Sequence, residues 1–148
     1  MMNTQQNWDG ILNEVIRDFS ADVGTLHWLN REDKHLYLAA SKGRIPDHVR
    51  SSIQCIPLGK GIAGTAAKTE EPCSMCNLQT DTSGIARPAA KDTKAQGSLC
   101  VPIFNKKHQV VGTLGIGYVK EHAFSEEETK HLEDAANVLS EKYCEGGR

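Results

Sequence analysis

Residues 57–64 read PLGKGIAG, in which three glycines have the spacing G-x-G-x-x-G. In a dinucleotide-binding fold this spacing joins a buried strand to a helix, and a second strand ends in an acidic residue about 20 positions later. Asp81 stands at about that distance, but the stretch before it contains Pro72 and lacks the Val/Ile run of a buried strand. We therefore interpret the glycines as a sharp strand-to-helix turn beside a pocket, which needs positive φ angles and close backbone approach.

The same turn allows a second interpretation. The N-terminus of a helix near Ile62 would present free N–H groups and the positive end of the helix dipole. A second helix terminus is predicted near residues 88–90. A small anion such as nitrate or a carboxylate fits either position, so the sequence leaves both interpretations open.

The composition predicts one globular domain, residues 1–148. The chain is 39% hydrophobic and 24% charged, and its net charge is -2. This charge gives no basis for binding nucleic acid or an anionic membrane, and no apolar run reaches the ~20 residues of a membrane-spanning helix. The polar N-terminus lacks a signal-peptide pattern, and five cysteines, an odd number, fit a reducing compartment. We predict a cytoplasmic protein.

Two helices and two hairpins account for the most regular parts of the chain. Residues 8–19 carry an apolar stripe at helical spacing. Residues 23–40 and 98–119 each read as two β-rich arms around a polar turn. A capping box at residues 125–128 opens a last amphipathic helix. The intervening residues 43–96 are predicted to contain short helices, a short strand and a long loop segment.

Five segments of this chain together resemble the GAF domain family. Each segment alone is weak, but they occur in the family's order and at plausible spacing. The segments are residues 21–30, 56–64, 97–103, 110–116 and 123–132.

The resemblance implies an α+β fold with an antiparallel sheet of about six strands. The first and last helices would cover one face, and residues 43–96 would close a ligand pocket on the other. It also implies a small-molecule sensor that signals through a partner protein or a homodimer, with the terminal helices as the contact surface. Family ligands include cyclic nucleotides, tetrapyrroles, amino acids, 2-oxo acids, nitrate and metal-bound gases. The residues specify no cofactor, and they leave an anion, an amino acid, a 2-oxo acid or a cyclic nucleotide open as the ligand.

The predicted pocket residues come from the first strand, the glycine-rich step, the middle segment and the strand that begins at Ser98. Side chains alternate across a strand, so one of His27 and Trp28 should face the pocket. If His27 does, it is the best candidate to ligate a haem or a metal, although a structural role is the commoner one for a lone strand histidine. The full set is His27, Trp28, Cys55, Ile62, Ala63, Cys73, Cys76, Leu78, Asp81, Ile85, Ala89, Ser98 and Cys100.

The cysteines raise the question of a metal or redox centre. Cys73-x-x-Cys76 is close enough in sequence to form a dithiol, and Cys55 and Cys100 would complete four zinc ligands if the fold brought them together. The spacings between these residues match no zinc-ribbon pattern. Unmodified thiols are the favoured interpretation, because free cysteine is a common core residue.

One enzymatic branch of the family, the free methionine-(R)-sulfoxide reductases, is the alternative function. The resemblance implies a reactive cysteine just before the strand at residues 97–103 and others near the glycine-rich step. Residues 84–92 contain no cysteine, and Ala63 stands where that branch has one. Cys73 and Cys76 are the only pair close enough in sequence to supply thiol chemistry. We therefore predict a binding domain and not an enzyme.

Overall fold

The computed structural model describes residues 7–75, 77, 79 and 96–147, and side chains as far as residue 143. Its helices are α1 (Trp8–Phe19), α2 (Asp47–Ser52), α3 (Gly61–Thr69) and α4 (Glu126–Gly147). Its strands are β1 (Val23–Asn30), β2 (His35–Gly43), β3 (Cys55–Pro57), β4 (Cys73–Met75), β5 (Gly97–Phe104) and β6 (Val110–Tyr118).

The described strands form one six-stranded sheet in the order β3-β2-β1-β6-β5-β4, and every neighbouring pair is antiparallel. The predicted sheet of about six antiparallel strands is therefore confirmed. The two hairpins, β1–β2 and β5–β6, meet at the centre of the sheet, where Leu26 of β1 is the register partner of Leu114 of β6. Two three-residue strands from the middle of the chain form the edges.

One face of the sheet is covered by the terminal helices, as predicted. Helix α1 packs on β1 and β2, and α4 packs on β5 and β6. The side chains between them are large and aliphatic, and each contributes roughly 1.5–3 kcal/mol by leaving water. The fully buried members include Leu12, Leu26, Val101, Ile103, Leu114, Leu132 and Leu139.

Both terminal helices have the caps that their sequences indicate. Helix α1 begins after Asn7, whose side chain accepts a hydrogen bond from the Gly10 amide at 3.0 Å. Helix α4 begins with the predicted capping box, in which Ser125 and Glu128 exchange backbone-to-side-chain hydrogen bonds of 2.9 and 3.1 Å. These bonds satisfy amides that a helix end leaves without partners.

The opposite face of the sheet carries the short helices. Helix α3 packs on β5 and β6, and a smaller apolar cluster of Leu36, Ile56, Ala67 and Val110 fixes this layer near the β3 edge. Helix α2 is one of the short helices predicted within residues 43–96, and it begins directly after Pro46. The sheet thus separates a large apolar core on one side from a thinner layer on the other.

The glycine-rich step is the sharp turn between β3 and α3. Gly59 and Gly61 have φ angles of 87° and 67°, a region that side-chain-bearing residues rarely adopt. A Cβ atom on Gly64 would lie 2.6 Å from the Pro57 carbonyl oxygen, so the helix can approach the strand only with glycine there. The Gly59 amide donates to the Gly64 carbonyl at 2.8 Å and closes the turn.

Candidate functional site

A strip of small and polar side chains runs across the central strands on the face that carries α2 and α3. Because Leu26 faces the terminal helices, its neighbours Thr25 and His27 face the other way. Thr113 of β6 is the register partner of His27, so it shares that face. We call these residues, with Ser98 and Cys100 of β5, the polar strip.

His27 is the centre of the polar strip. Its side chain is 1% exposed, and its Nε2 lies 2.9 Å from the carbonyl oxygen of Ile53, at the end of α2. Burial lowers the pKa of His27 to about 4, so the ring is neutral near pH 7. Since a carbonyl can only accept, Nε2 carries the proton and donates it. Nδ1 is therefore left as an acceptor with a free lone pair.

Two buried polar atoms of the strip are poorly satisfied. Within the described ranges, Nδ1 of His27 has no hydrogen-bond partner, and Oγ1 of Thr113 has none of ordinary geometry and interacts with the Cys100 thiol, a weak hydrogen-bonding group; both residues are 1% exposed. A buried polar atom without a partner costs about 1–3 kcal/mol, and native structures pair nearly all such atoms. The two residues are adjacent across β1 and β6, so one small group could reach both.

A backbone irregularity stands next to His27. The β1–β2 register shifts between Leu26 and His27, which leaves Ala39 as an extra residue on β2. Bulges of this kind are frequent beside functional sites, where they change the direction of a side chain.

Cys100 and Cys73 lie at one end of the polar strip. They are directly opposite each other on β5 and β4. Cys100 is 4% exposed, and burial raises the pKa of its thiol to about 12, whereas Cys73 is only half-buried. Ser98 is half-buried two residues earlier on β5, opposite Met75.

Cys55 lies away from Cys73 and Cys100, so the described fold does not bring together these members of the alternative four-cysteine metal set. It is exposed on β3, and its register partner Tyr37 lies on the face opposite His27. Strand β3 and the strand of Cys73 are the two edges of the sheet, five strand spacings or about 24 Å apart in a flat sheet. Among the described residues, no group of three or more His, Cys, Asp or Glu side chains is arranged to hold a metal ion.

Trp28 also lies away from the polar strip, which corrects its assignment to the pocket. Its ring stacks on Tyr143 of α4 at a centroid distance of 3.9 Å and meets Trp8 of α1 edge-on at 5.1 Å. Its Nε1 is buried and lacks a partner within the described part of the chain. Trp28 therefore joins the two terminal helices to the sheet, and His27 is the member of the pair that faces α2.

The remaining predicted pocket residues fall into two groups. Ile62 and Ala63 are half-buried at the start of α3, and Ala63 packs against the cluster around Leu36. Five others lie outside the described residues. These are Cys76, Leu78, Asp81, Ile85 and Ala89.

Thr25 and Thr113 are site residues that the sequence analysis missed. The signal was present in β6, where Thr113, Gly115 and Gly117 alternate with Leu114, Ile116 and Tyr118. Alternation of small or polar residues with larger apolar ones indicates a strand with one open face and one core face. The three-residue strand β4 was missed as well, since nothing regular marks residues 73–75.

The family of the chain follows from its sequence. The GAF domain model matches residues 7–141, nearly the whole chain, so the protein belongs to the GAF domain family. A search among curated proteins finds no similar sequence. Within the described ranges, no helix is both long and apolar enough to cross a membrane.

Solved structures of this fold include GAF domains of larger proteins and free methionine-R-sulfoxide reductases. The GAF domain of a phosphoenolpyruvate-protein phosphotransferase from Coxiella burnetii has a TM-score of 0.79 and 20% identity, over 98% of this chain and 84% of that one. The free methionine-R-sulfoxide reductase of Neisseria meningitidis, solved with its substrate, has a TM-score of 0.79 and 17% identity, over 99% and 81%. The GAF domain region of a Geobacter sulfurreducens protein has a TM-score of 0.76 and 16% identity, over 92% of this chain and 89% of that one. At these identities the likeness concerns the fold.

Proposed function

We propose that this GAF domain binds a small molecule against the polar strip and passes the binding signal to a partner protein or a second copy. The observation that carries the proposal is a pair of buried polar atoms on two register partners: Nδ1 of His27, which has no hydrogen-bond partner within the described ranges, and Oγ1 of Thr113, which interacts with the weakly bonding Cys100 thiol. A ligand that hydrogen-bonds to both would remove the cost of leaving them without partners. The fold supports this proposal because the terminal helices cover the other face of the sheet, so the polar strip is on the face that carries the short helices α2 and α3.

The chemistry of His27 narrows the ligand class. Its neutral ring offers Nδ1 as an acceptor, so the ligand must bring an N–H or O–H donor. Amino acids and cyclic nucleotides carry such donors. Nitrate and deprotonated 2-oxo acids do not. The amides of Gly59 and Lys60 at the glycine-rich step already donate to the Gly64 and Pro57 carbonyls, so an anion bound there would depend on the first amides of α3.

Thermal-shift screening tests the ligand proposal. A ligand that binds only the native state must raise its melting temperature. We expect a rise with a member of the amino acid or nucleotide panel and none with nitrate or 2-oxo acids. Thr113→Val, which removes one hydroxyl at nearly constant volume, should weaken that binding about tenfold because one hydrogen bond is lost.

The matched control is Thr129→Val on α4, whose hydroxyl donates to the Ser125 carbonyl at the exposed start of that helix. It should leave the affinity unchanged. Binding that is equally strong in Thr113→Val and wild type would refute the assignment of this site, and so would an absence of any shift across the whole panel.

We further propose that the domain binds and does not catalyse methionine sulfoxide reduction. Two observations support this proposal. Ala63 stands in the glycine-rich step where the reductases have a cysteine, and Cys55 lies on the edge of the sheet opposite to the edge that carries Cys73. Incubation with free methionine-(R)-sulfoxide and dithiothreitol should yield no methionine above the protein-free control. Turnover that disappears in Cys73→Ser or Cys100→Ser would instead establish the reductase.

We also propose that the terminal helices α1 and α4 form the surface that contacts the partner protein or the second copy. Helices α1 and α4 cover the apolar face of the sheet. Val138 of α4 is a large apolar side chain that remains 49% exposed, so it is available for such a contact.

The cytoplasmic location of the protein stays a prediction.

A further inference from the structure

The register of the sheet creates a cysteine pair that the sequence does not suggest. Cys73 and Cys100 are 27 positions apart, yet β4 and β5 place them directly opposite each other. Opposite residues of an antiparallel pair have Cα atoms about 4.5 or 5.5 Å apart, depending on the hydrogen-bonding pattern. Both values lie inside the range of about 4.4–6.8 Å that disulfides span.

The two thiols have different surroundings. Residues opposite each other share a face of the sheet, so both side chains lie on the side of the polar strip. Cys73, on the edge strand, is half-buried, whereas Cys100 is 4% exposed. Burial raises the pKa of Cys100 to about 12 and keeps it protonated near pH 7. An oxidant in solution therefore meets Cys73 first, and Cys100 stands beside it as the second thiol.

We propose that Cys73 and Cys100 form a reversible disulfide when the protein meets hydrogen peroxide or a similar small peroxide. The Cys73 sulfur attacks one peroxide oxygen, an S–O bond forms, the O–O bond breaks, and the other oxygen leaves as water. The Cys100 sulfur then attacks the resulting sulfenic acid while its thiol proton passes to the departing hydroxyl; the S–S bond forms, the S–O bond breaks, and a second water leaves. Two thiols are oxidised and one peroxide is reduced to two waters.

The bond would join the edge strand β4 covalently to β5 at the end of the polar strip. It would also close residues 73–100 into one loop, which constrains the unfolded chain. We expect the oxidised protein to melt roughly 5–10 °C higher than the reduced protein.

Peptide mapping of the full chain tests the proposal. Protein treated with stoichiometric hydrogen peroxide is blocked with N-ethylmaleimide, digested with trypsin and analysed by mass spectrometry. Cleavage at lysine should release residues 69–91, which contain Cys73, and residues 95–106, which contain Cys100. We expect these two peptides to be cross-linked after oxidation and separate again after dithiothreitol.

The competing pair is Cys73 with Cys76, which lie in the same peptide. An internal disulfide in residues 69–91, or oxidation of Cys73 to sulfinic acid without a cross-link, would overturn the proposal. Cys76→Ser and Cys55→Ser should keep the cross-link, whereas Cys73→Ser should abolish it. A cross-link that persists in Cys73→Ser would assign the bond to Cys76 and reject the proposed pair.

Discussion

Lowering the pH from 7 to 4.5 is expected to reduce the free energy of unfolding by about 2–3 kcal/mol through His27 alone. In the unfolded chain this histidine has its ordinary pKa of 6.5, whereas burial lowers its pKa to about 4 in the native state. Between these values the unfolded state binds more protons than the native state. The stabilisation is therefore complete above pH 6.5 and is lost as the pH falls toward 4.

The contributions of His27 and Glu128 to the free energy of unfolding are lost in different pH ranges. The pKa of Glu128 is lowered, chiefly by the hydrogen bond from the Ser125 backbone, so its contribution is lost only below its ordinary value of 4.5. Urea unfolding at several pH values between 7 and 4.5 measures the loss. His27→Gln retains an N–H that can donate to Ile53 but does not titrate in this range, so it should show a much flatter profile.

The control variant is His48→Gln, since His48 is exposed on α2. It should keep the wild-type pH profile. Parallel profiles for wild type and His27→Gln would show that another group is responsible for the acid sensitivity, and would remove the basis for a neutral His27 in the ligand proposal.

Two neighbouring residues of β6 should respond to substitution in opposite ways. Leu114 is fully buried against the terminal helices, and Leu114→Ala should lower the free energy of unfolding by about 3–5 kcal/mol through lost burial and a cavity. Thr113 points to the other face, where its buried hydroxyl has no partner of ordinary hydrogen-bond geometry within the described ranges and interacts with the weakly bonding Cys100 thiol. Thr113→Val should leave the stability of the ligand-free protein unchanged or raise it by about 1 kcal/mol.

Denaturant unfolding of both variants without added ligand measures this contrast. Because the two residues are adjacent on one strand, each serves as a control for the effect of substitution at that position in the sheet. A loss of several kcal/mol in Thr113→Val would mean that its hydroxyl is satisfied in solution, and a small effect of Leu114→Ala would contradict the assignment of the core face.

The regular elements could be predicted because local patterns determine them. The stripe of residues 8–19, the two hairpins and the Ser125 capping box all concern neighbours within a few positions, and all are present. The glycine-rich step was also readable, since the conformations of Gly59 and Gly61 are available to few other residues.

The arrangement of the site could not be read in the same way. Alternation showed that His27 and Trp28 face opposite sides, but which side is the core depends on where α1 and α4 pack. The separation of Cys55 from Cys73 depends on strand order, and the pairing of Cys73 with Cys100 depends on register between distant segments. Sequence spacing therefore suggested Cys76 as the partner of Cys73, whereas the register of the sheet places Cys100 opposite Cys73.

The central pairing of β1 with β6 has a consequence for how the chain is made. The register partners Leu26 and Leu114 are 88 positions apart. The β1–β2 hairpin leaves the ribosome long before β6 is synthesised, and contacts between such distant segments form slowly. For several seconds of synthesis, at roughly 5–20 residues per second, the apolar side of the first hairpin has only α1 to cover it. The nascent chain is therefore most exposed to aggregation before its second hairpin emerges, and a holdase chaperone would have its greatest effect in that interval.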